Sequence, residues 1–536
     1  MRLYFLVMAP IFISLLMYIL PLKGAFRSFI SLTLHFSLIV MSVSNLLSVK
    51  SSGIPITAAI SANDILGISL YSDLIASVFV VLISLLFFVF SVYSFEDYLK
   101  DKLFQFLFIS LEGLIFLLFL SRDLFNIFVA VEASTIICSI LIMYKRDSRS
   151  IYDGLFYLMI STVGMLFFLL GTAMLYKIFG VLDISALKNM MTMANVRALI
   201  VPYALIMAGV SLKCAFVPVF SWLPKAYGTP GAPPLISALL SGVYIKTGIY
   251  MYIRMRDMFS PMVDMDNFFI VIGILTSIVG ILFALMQKDI KMILEYHTIS
   301  QMGLILIAVS INDTYTKAGG LLHIMNHALF KSLLILAAGV IIYQYKTRNI
   351  YEIRGVFRRM PFTGLAILIG ILGITGAPFF NGSVSKYFIQ SGVKGAWIEW
   401  FIIFINLGTT LSFIKLGSIL IPNPVERITL KESKPKSISM ILLSLGCLFT
   451  GLGATTISKN LLGLDVKIKL SGYIEKGFIW IGFIVLSILI YKFGISRSKF
   501  FKKGYGLELS FNNISVILLV FFFIILGVYH FMVPVA

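Results

Sequence analysis

Cysteine is scarce in this chain. Cys138, Cys214 and Cys447 are the only three in 536 residues, each alone within an apolar stretch. No two have the spacing of a metal-ligand pair, which removes iron–sulfur and zinc readings and leaves three small buried hydrophobes. Charge is scarce too, at 12% of residues against a soluble-protein average of about 25%. Acidic residues are the thinner share of it, 24 against 43 Lys and Arg. Long polar stretches are missing: the connections 49–70, 180–197, 344–362, 421–437 and 458–477 are all loop-sized, so no soluble domain is expected. The first apolar stretch follows Met1-Arg2 but has no small-x-small cleavage site before Pro21, and it is read as a helix rather than a signal peptide.

What the chain has instead is hydrophobic length. Its residues are 59% hydrophobic, and apolar runs able to span a core of about 30 Å recur from end to end. They fall at 3–20, 26–48, 71–92, 103–120, 124–143, 154–179, 198–221, 233–252, 268–286, 293–310, 319–343, 363–392, 399–420, 438–457, 478–494 and 513–533. The last two are the weakest, and without them the count is fourteen. The expected fold is an all-α polytopic membrane protein. The net charge of +19 is not a nucleic-acid signal, because Lys and Arg gather in alternate loops, as with Lys145, Arg146 and Arg149, then Arg354, Arg358 and Arg359. The positive-inside rule puts those loops in the cytoplasm and both termini outside, in a cell membrane whose lipid is one partner of the chain.

An internal duplication orders the spans. Ser121-Arg122-Asp123-Leu124 joins the fourth to the fifth, and Gln287-Lys288-Asp289-Ile290 joins the ninth to the tenth. About 90 residues after each, a lysine-bearing span is interrupted: Lys213 with Pro218 and Pro224, then Gly376, Pro378 and Gly382 with Lys386. The expected units are 103–252 and 268–420, preceded by N-terminal helices in 1–100 and followed by C-terminal helices in 438–536. Five spans per unit is an odd number, so the copies enter the membrane from opposite sides, an inverted repeat with broken helices at its site.

Charges inside spans carry the chemistry. Lys213, Lys246, Lys331 and Lys386 lie deep in apolar stretches, and so does Glu132. Each costs roughly 2.5–3.5 kcal/mol at a helix centre on insertion scales, so each is expected to meet partners or water. Glu132 and Lys213 are expected to pair as a switch, against the plainer reading of a static ion pair. His323, His327 and Lys331 recur every four residues and form a stripe about 12 Å long on one helix face. Metal binding by the two histidines is disfavoured, since no third ligand is evident. Lys246 lies between Gly242 and Gly248, which permit close helix approach. Secondary candidates are Glu112, facing either Lys246 or a neighbouring protein, and Lys415, deep in the thirteenth span and able to close the path.

The runs around these residues resemble the antiporter-like subunits of respiratory complex I, Mrp-type sodium/proton antiporters and membrane-bound hydrogenases. The matching segments run from Ser121 to Glu132, Ser211 to Tyr227, Lys288 to Tyr296, His323 to Lys331 and Phe380 to Lys386. The resemblance implies a fourteen-helix core with two inverted five-helix units and a hydrated axis through Glu132, Lys213, Lys246, Lys331 and Lys386. A lysine at position 246 is similar to the Mrp D subunit and the hydrogenase subunit. Glu295 and His297 depart from the family pattern and add titratable groups, and Glu112 is likewise unexpected.

The expected function is a proton-translocating membrane subunit of a larger complex, with neighbouring membrane subunits as partners and H+, or Na+, as cargo. No haem, flavin or cluster ligands are visible, so no cofactor is expected in this subunit. The rivals are a sodium/proton antiporter subunit of a stand-alone Mrp complex and a non-conducting structural subunit. A quinone-site subunit is disfavoured, because no polar, aromatic pocket motif stands apart from the charged row.

Overall fold

The computed structural model describes residues 2–59, 69–422, 430–498, 501 and 506–532. Helices α1 (Arg2–Ile19) and α2 (Gly24–Ser52) lead into a two-stranded antiparallel hairpin, β1 (Ile56–Ala59) and β2 (Ser69–Ser72), with Ile56 opposite Ser72. Then come α3 (Leu74–Ser94), α4 (Lys102–Leu120), α5 (Leu124–Ile142), α6 (Ser148–Phe179) and the short α7 (Ile184–Met191). The seventh crossing is broken into α8 (Ile200–Lys213) and α9 (Trp222–Tyr227). The eighth is α10 (Pro234–Leu239), a π-helical turn Leu240–Tyr244 and α11 (Ile245–Phe259). The next three are α12 (Asp266–Met286), α13 (Ile290–Ser310) and α14 (Thr314–Tyr345), followed by the short α15 (Val356–Arg359). The twelfth is broken into α16 (Pro361–Thr375) and α17 (Asn381–Gly392). After α18 (Ile398–Gly417) and α19 (Lys434–Leu452) come α20 (Ala454–Leu461), α21 (Leu470–Ile490) and α22 (Phe511–Met532).

Among the described residues, fifteen helices are long and apolar enough to cross a membrane, and the α16–α17 pair adds a broken sixteenth. Every expected span therefore corresponds to a helix. Three details differ. The span 198–221 stops being helical at Lys213. The span 438–457 is divided at Gly453, where α19 gives way to α20. The loop 180–197 contains α7.

Aspartate is the commonest start signal. Asp73, Asp101, Asp123, Asp147, Asp183, Asp289 and Asp313 each cap a helix by accepting a backbone N–H with the side chain. The first-turn amides lack intrahelical partners and carry partial positive charge, so a carboxylate there satisfies both needs. Two of these caps mark equivalent places. Leu124 N–H bonds Leu182 O and Ile184 N–H bonds Arg122 O, while Ile290 N–H bonds Arg348 O and Ile350 N–H bonds Lys288 O. Salt bridges accompany them, Arg122–Asp183 in one place and Arg348–Asp289 in the other.

The two breaks are alike in backbone. Ala215 and Phe379 both take left-handed conformations, with φ of 54° and 72°. Non-glycine residues pay about 1–3 kcal/mol for such geometry and hold it only where the surroundings fix it. Here Trp222 Nε1 donates to Leu212 O at 2.9 Å, taking up a carbonyl near the first break. Tyr473 of α21 accepts Phe379 N–H at 3.0 Å at the second.

The last two helices pack against different partners. α21 packs along α18, whereas α22 packs along α8 and α6. The connection between them crosses α13 and α6, where Leu507 N–H meets Tyr296 Oη at 3.3 Å and Arg149 meets Glu508 at 3.3 Å.

Candidate functional site: a buried row of lysines on backbone carbonyls

Lys213 is the last residue of α8, and a helix end of this polarity favours a cation. Its Nζ donates to Thr135 Oγ1 at 2.7 Å, with the rings of Tyr157 and Tyr244 5.9 and 5.8 Å away. The expected ion pair with Glu132 is not formed: no nitrogen–oxygen approach within 4.0 Å links them. Glu132 is half-buried on α5 and accepts from Thr162 Oγ1 at 3.1 Å. Thr135 lies one turn further along α5 and also meets Tyr244 Oη at 3.0 Å. A hydroxyl therefore stands beside the ammonium where a carboxylate was expected.

Tyr244 ends the π-helical turn that precedes Lys246. Such turns are rare and recur at functional sites, because they displace carbonyls from the regular ladder. Lys246 Nζ donates to Ser241 O within this turn at 2.6 Å. The flanking glycines do permit close approach. A Cβ on Gly242 would meet Ser332 Oγ at 2.1 Å, and one on Gly248 would meet Lys213 O at 3.0 Å.

Ser241 has a second role, donating its hydroxyl to Glu295 Oε2 in a short hydrogen bond. Glu295 is fully buried on α13 and also faces Thr298 Oγ1 at 3.4 Å. Its chain neighbour Leu294 offers its carbonyl to Lys331 of α14. Thus the residue that departs from the family pattern lies between Lys246 and Lys331. Lys291, one turn earlier on α13, is buried as well and donates to Thr229 O and Ala232 O at 3.1 Å each. Sequence reasoning passes over Lys291, because two residues after the capping Asp289 it looks like an interfacial lysine.

Further along α14, His323 bridges two helices: Nδ1 lies 2.9 Å from Ser385 Oγ and Nε2 lies 2.9 Å from Gln301 Oε1. An amide oxygen only accepts, so Nε2 carries the hydrogen. His327 is buried against the edge of Phe330, their ring centroids 5.5 Å apart. His297 packs on Phe413 at 4.6 Å. Ser385 is the chain neighbour of Lys386, whose Nζ donates to Ile374 O at 2.7 Å. That carbonyl belongs to the last turn of α16, so the second break, like the first, presents a helix C-terminus to a lysine. The two lysines are not equivalent in sequence, since Lys213 precedes its break and Lys386 follows it. Lys415 repeats the pattern on a third C-terminus, donating to Leu285 O at 2.7 Å and to Gln287 O at the end of α12.

Glu112 stands apart from this row. Neither expected partner is its partner: Oε2 lies 2.7 Å from Nδ1 of His35 on α2, and both side chains are fully buried. His35 gives no sequence signal beyond being one histidine in an apolar helix. Among the described residues, no three His, Cys, Asp or Glu side chains are grouped to hold a metal ion.

The fold and the site define a polytopic helical membrane protein with many buried ionisable groups. The chain belongs to the NADH:quinone oxidoreductase/Mrp antiporter transmembrane family, whose pattern matches residues 121–414. It is 30% identical over 334 residues to the D subunit of the Na(+)/H(+) antiporter of Alkalihalophilus pseudofirmus, covering 60% of this chain and 66% of that one. It is 28% identical to hydrogenase-4 component B of Escherichia coli and 30% identical to NADH-quinone oxidoreductase subunit N of Desulforudis audaxviator. Those matches take in 59% and 52% of this chain, and 46% and 56% of theirs, so the chain spans about half their length. In fold it is similar to chains of an archaeal membrane-bound sulfane sulfur reductase, with a TM-score of 0.80 and 23% identity, and of the Mrp complex from Dietzia, with 0.79 and 20%. Each alignment covers 90% of this chain and 99% of the other.

Proposed function

We propose that the chain is a proton-translocating subunit of a multisubunit membrane complex, with the units 103–252 and 268–420 as its two half-modules. The supporting observation is a row of buried ionisable and hydroxyl groups, joined by hydrogen bonds at several points and by chain proximity at others, with neither ring nitrogen of His327 hydrogen-bonded among the described residues. It runs from Glu132 and Thr135 to Lys213, through Tyr244 to Lys246 and Ser241, then to Glu295 and Lys331, and along His327 and His323 to Ser385 and Lys386.

The lysines rest on carbonyl and hydroxyl oxygens rather than in salt bridges. A proton can therefore leave an ammonium without an ion pair having to break, and the site it leaves still holds a hydrogen-bond partner. Charge at one site is felt at the next. Two unit charges 8 Å apart at an effective dielectric of 20 interact by about 2 kcal/mol, enough to shift a neighbour's proton occupancy more than tenfold. Lys331→Ala tests the reading in the assembled complex. Coupled proton transport should be lost with assembly intact, and full pumping by that variant would reduce the row to packing.

A sodium/proton antiporter subunit of an Mrp complex is the second reading, favoured by the D-subunit match. The partners would be neighbouring membrane subunits and the lipid of a cell membrane. Both termini would lie outside and the loops 144–153 and 344–362 in the cytoplasm, so externally added thiol reagents should miss cysteines placed in either loop.

A further inference from the structure

The row ends at Lys386, and a pocket opens there. It is about 40 Å³, room for about three waters, and is lined by Lys386, Thr375, Ser383 and Gln390 with Lys476 and Trp480 of α21. α21 is fastened over the break. Ser383 Oγ lies 2.9 Å from Tyr473 Oη, Trp480 Nε1 lies 3.4 Å from Thr375 Oγ1, and Tyr387 Oη accepts Lys469 N–H at 3.2 Å. The pocket shares Tyr387, Gln390 and Lys476 with a larger one of about 450 Å³. That outer pocket lies where α17 ends and α18 and α21 begin, at the membrane face.

Its charged lining is lopsided. Lys394, Lys467, Lys469 and Lys476 face Glu399 and Glu475, four positive groups against two negative. Among the described residues none of the four lysines has an ion-pair partner within 4.0 Å, and one oxygen of Glu399 is engaged by Gly395 N–H at 2.8 Å. Rings of carboxylates admit cations, whereas rings of lysine oppose them.

We propose that α21 and the segment before it turn this end of the row into an aqueous mouth that passes protons and refuses sodium. The proposal rests on the reading that the row conducts and ends at Lys386. A sodium ion has to enter bodily against the positive field. A proton crosses by transfer: an N–H bond of the Lys386 ammonium breaks, an O–H bond forms on a pocket water, and that water passes a proton outward. Nothing is oxidised or reduced, and Lys386 is recharged from the row.

The test uses thiol reagents of equal size and opposite charge on the assembled complex, with the parent chain as background. Ser391→Cys reports the outer pocket and Ser383→Cys the inner one; both exchange a hydroxyl for a thiol of similar shape. At low ionic strength the anionic reagent should react roughly tenfold faster than the cationic one at both positions, and the preference should fall as salt is raised. Adding Lys467→Glu and Lys476→Glu should abolish or invert the preference, and in proteoliposomes should allow Na+ to compete with proton transport where the parent does not. Equal rates for the two reagents, an unreactive Ser383→Cys, or Na+ competition in the parent would each overturn the mouth. Failure of the underlying row reads differently: Lys331→Ala would then transport normally while the charge preference remained.

Discussion

Lys213 is hydrogen-bonded to Thr135 at 2.7 Å, and Glu132, one turn earlier on the same helix, is bonded to Thr162 instead. A coupling of this carboxylate to the ammonium by way of the Thr135 hydroxyl is open to test. Thr135→Val keeps the side-chain shape and removes that hydroxyl. It should slow transport about tenfold or more, since a hydrogen bond to a charged group contributes about 1.5–3 kcal/mol. Glu132→Gln should also slow transport, and combining it with Thr135→Val should cost less than the product of the two losses. Independent multiplication of the losses in proteoliposome rates would show that Thr135 does not link Glu132 to Lys213.

Glu295 is the next prediction. It takes the Ser241 hydroxyl while the Ser241 carbonyl takes Lys246, and Lys331 bonds the adjacent Leu294 carbonyl. Glu295→Gln preserves size and hydrogen bonding but holds no exchangeable carboxyl proton. Transport should fall at least tenfold with the complex assembled to parental yield. A Glu295→Ala variant that transports at the parental rate would show that the two lysines communicate without it.

His35 and Glu112 should matter for folding before anything else. Breaking a buried pair by removing one partner costs about 3–5 kcal/mol, because the other polar group is left without compensation. His35→Leu should therefore lower thermal stability markedly. His35→Leu with Glu112→Leu should recover most of the loss. A double variant no more stable than the single would show that the pair is not the source of the effect.

The span expected from 71 starts as a helix only at Leu74, and Asp73, the cap just before it, gives a pH dependence at that helix end. Burial alone would raise its carboxyl, but two hydrogen bonds from Arg254, at 2.6 and 2.7 Å, and that residue's charge hold it below its ordinary value. A depressed carboxyl contributes stability that is present above its unfolded value, about 3.9, and is lost as pH falls through the folded value. Unfolding temperature should drop in acid more steeply for the parent than for Asp73→Asn. Parallel pH curves for the two would remove Asp73 as a contributor.

The spans are legible in sequence because hydropathy leaves little choice. A run such as 268–286 has no soluble alternative, and α12 occupies it within two residues at either end. The broken helices are legible from Pro218 and Pro224 in one place and from Gly376, Pro378 and Gly382 in the other. The lysines show because charge is rare in such runs. Neutral groups do not show: Thr135, Ser241, Tyr244 and Ser385 resemble any other hydroxyl in a packed helix, and only tertiary contact sets them beside an ammonium, a carboxylate, an imidazole or one another. Glu112 is visible as an anomaly, but its partner lies 77 residues earlier on a helix with no visible claim to it. The expected Glu132–Lys213 contact fails for a related reason. Depth in the membrane follows from sequence position, while side-chain reach across two helices does not.

The helix α21 packs along α18, and α22 packs along α8, the helix that carries Lys213. Just before α22, Leu507 and Glu508 hold the chain to α13 and α6. Moving α22 away from these helices would drag Leu507 from Tyr296 and Glu508 from Arg149. The proposed proton row needs no such movement: its moving parts would be protons, waters and the ends of lysine side chains.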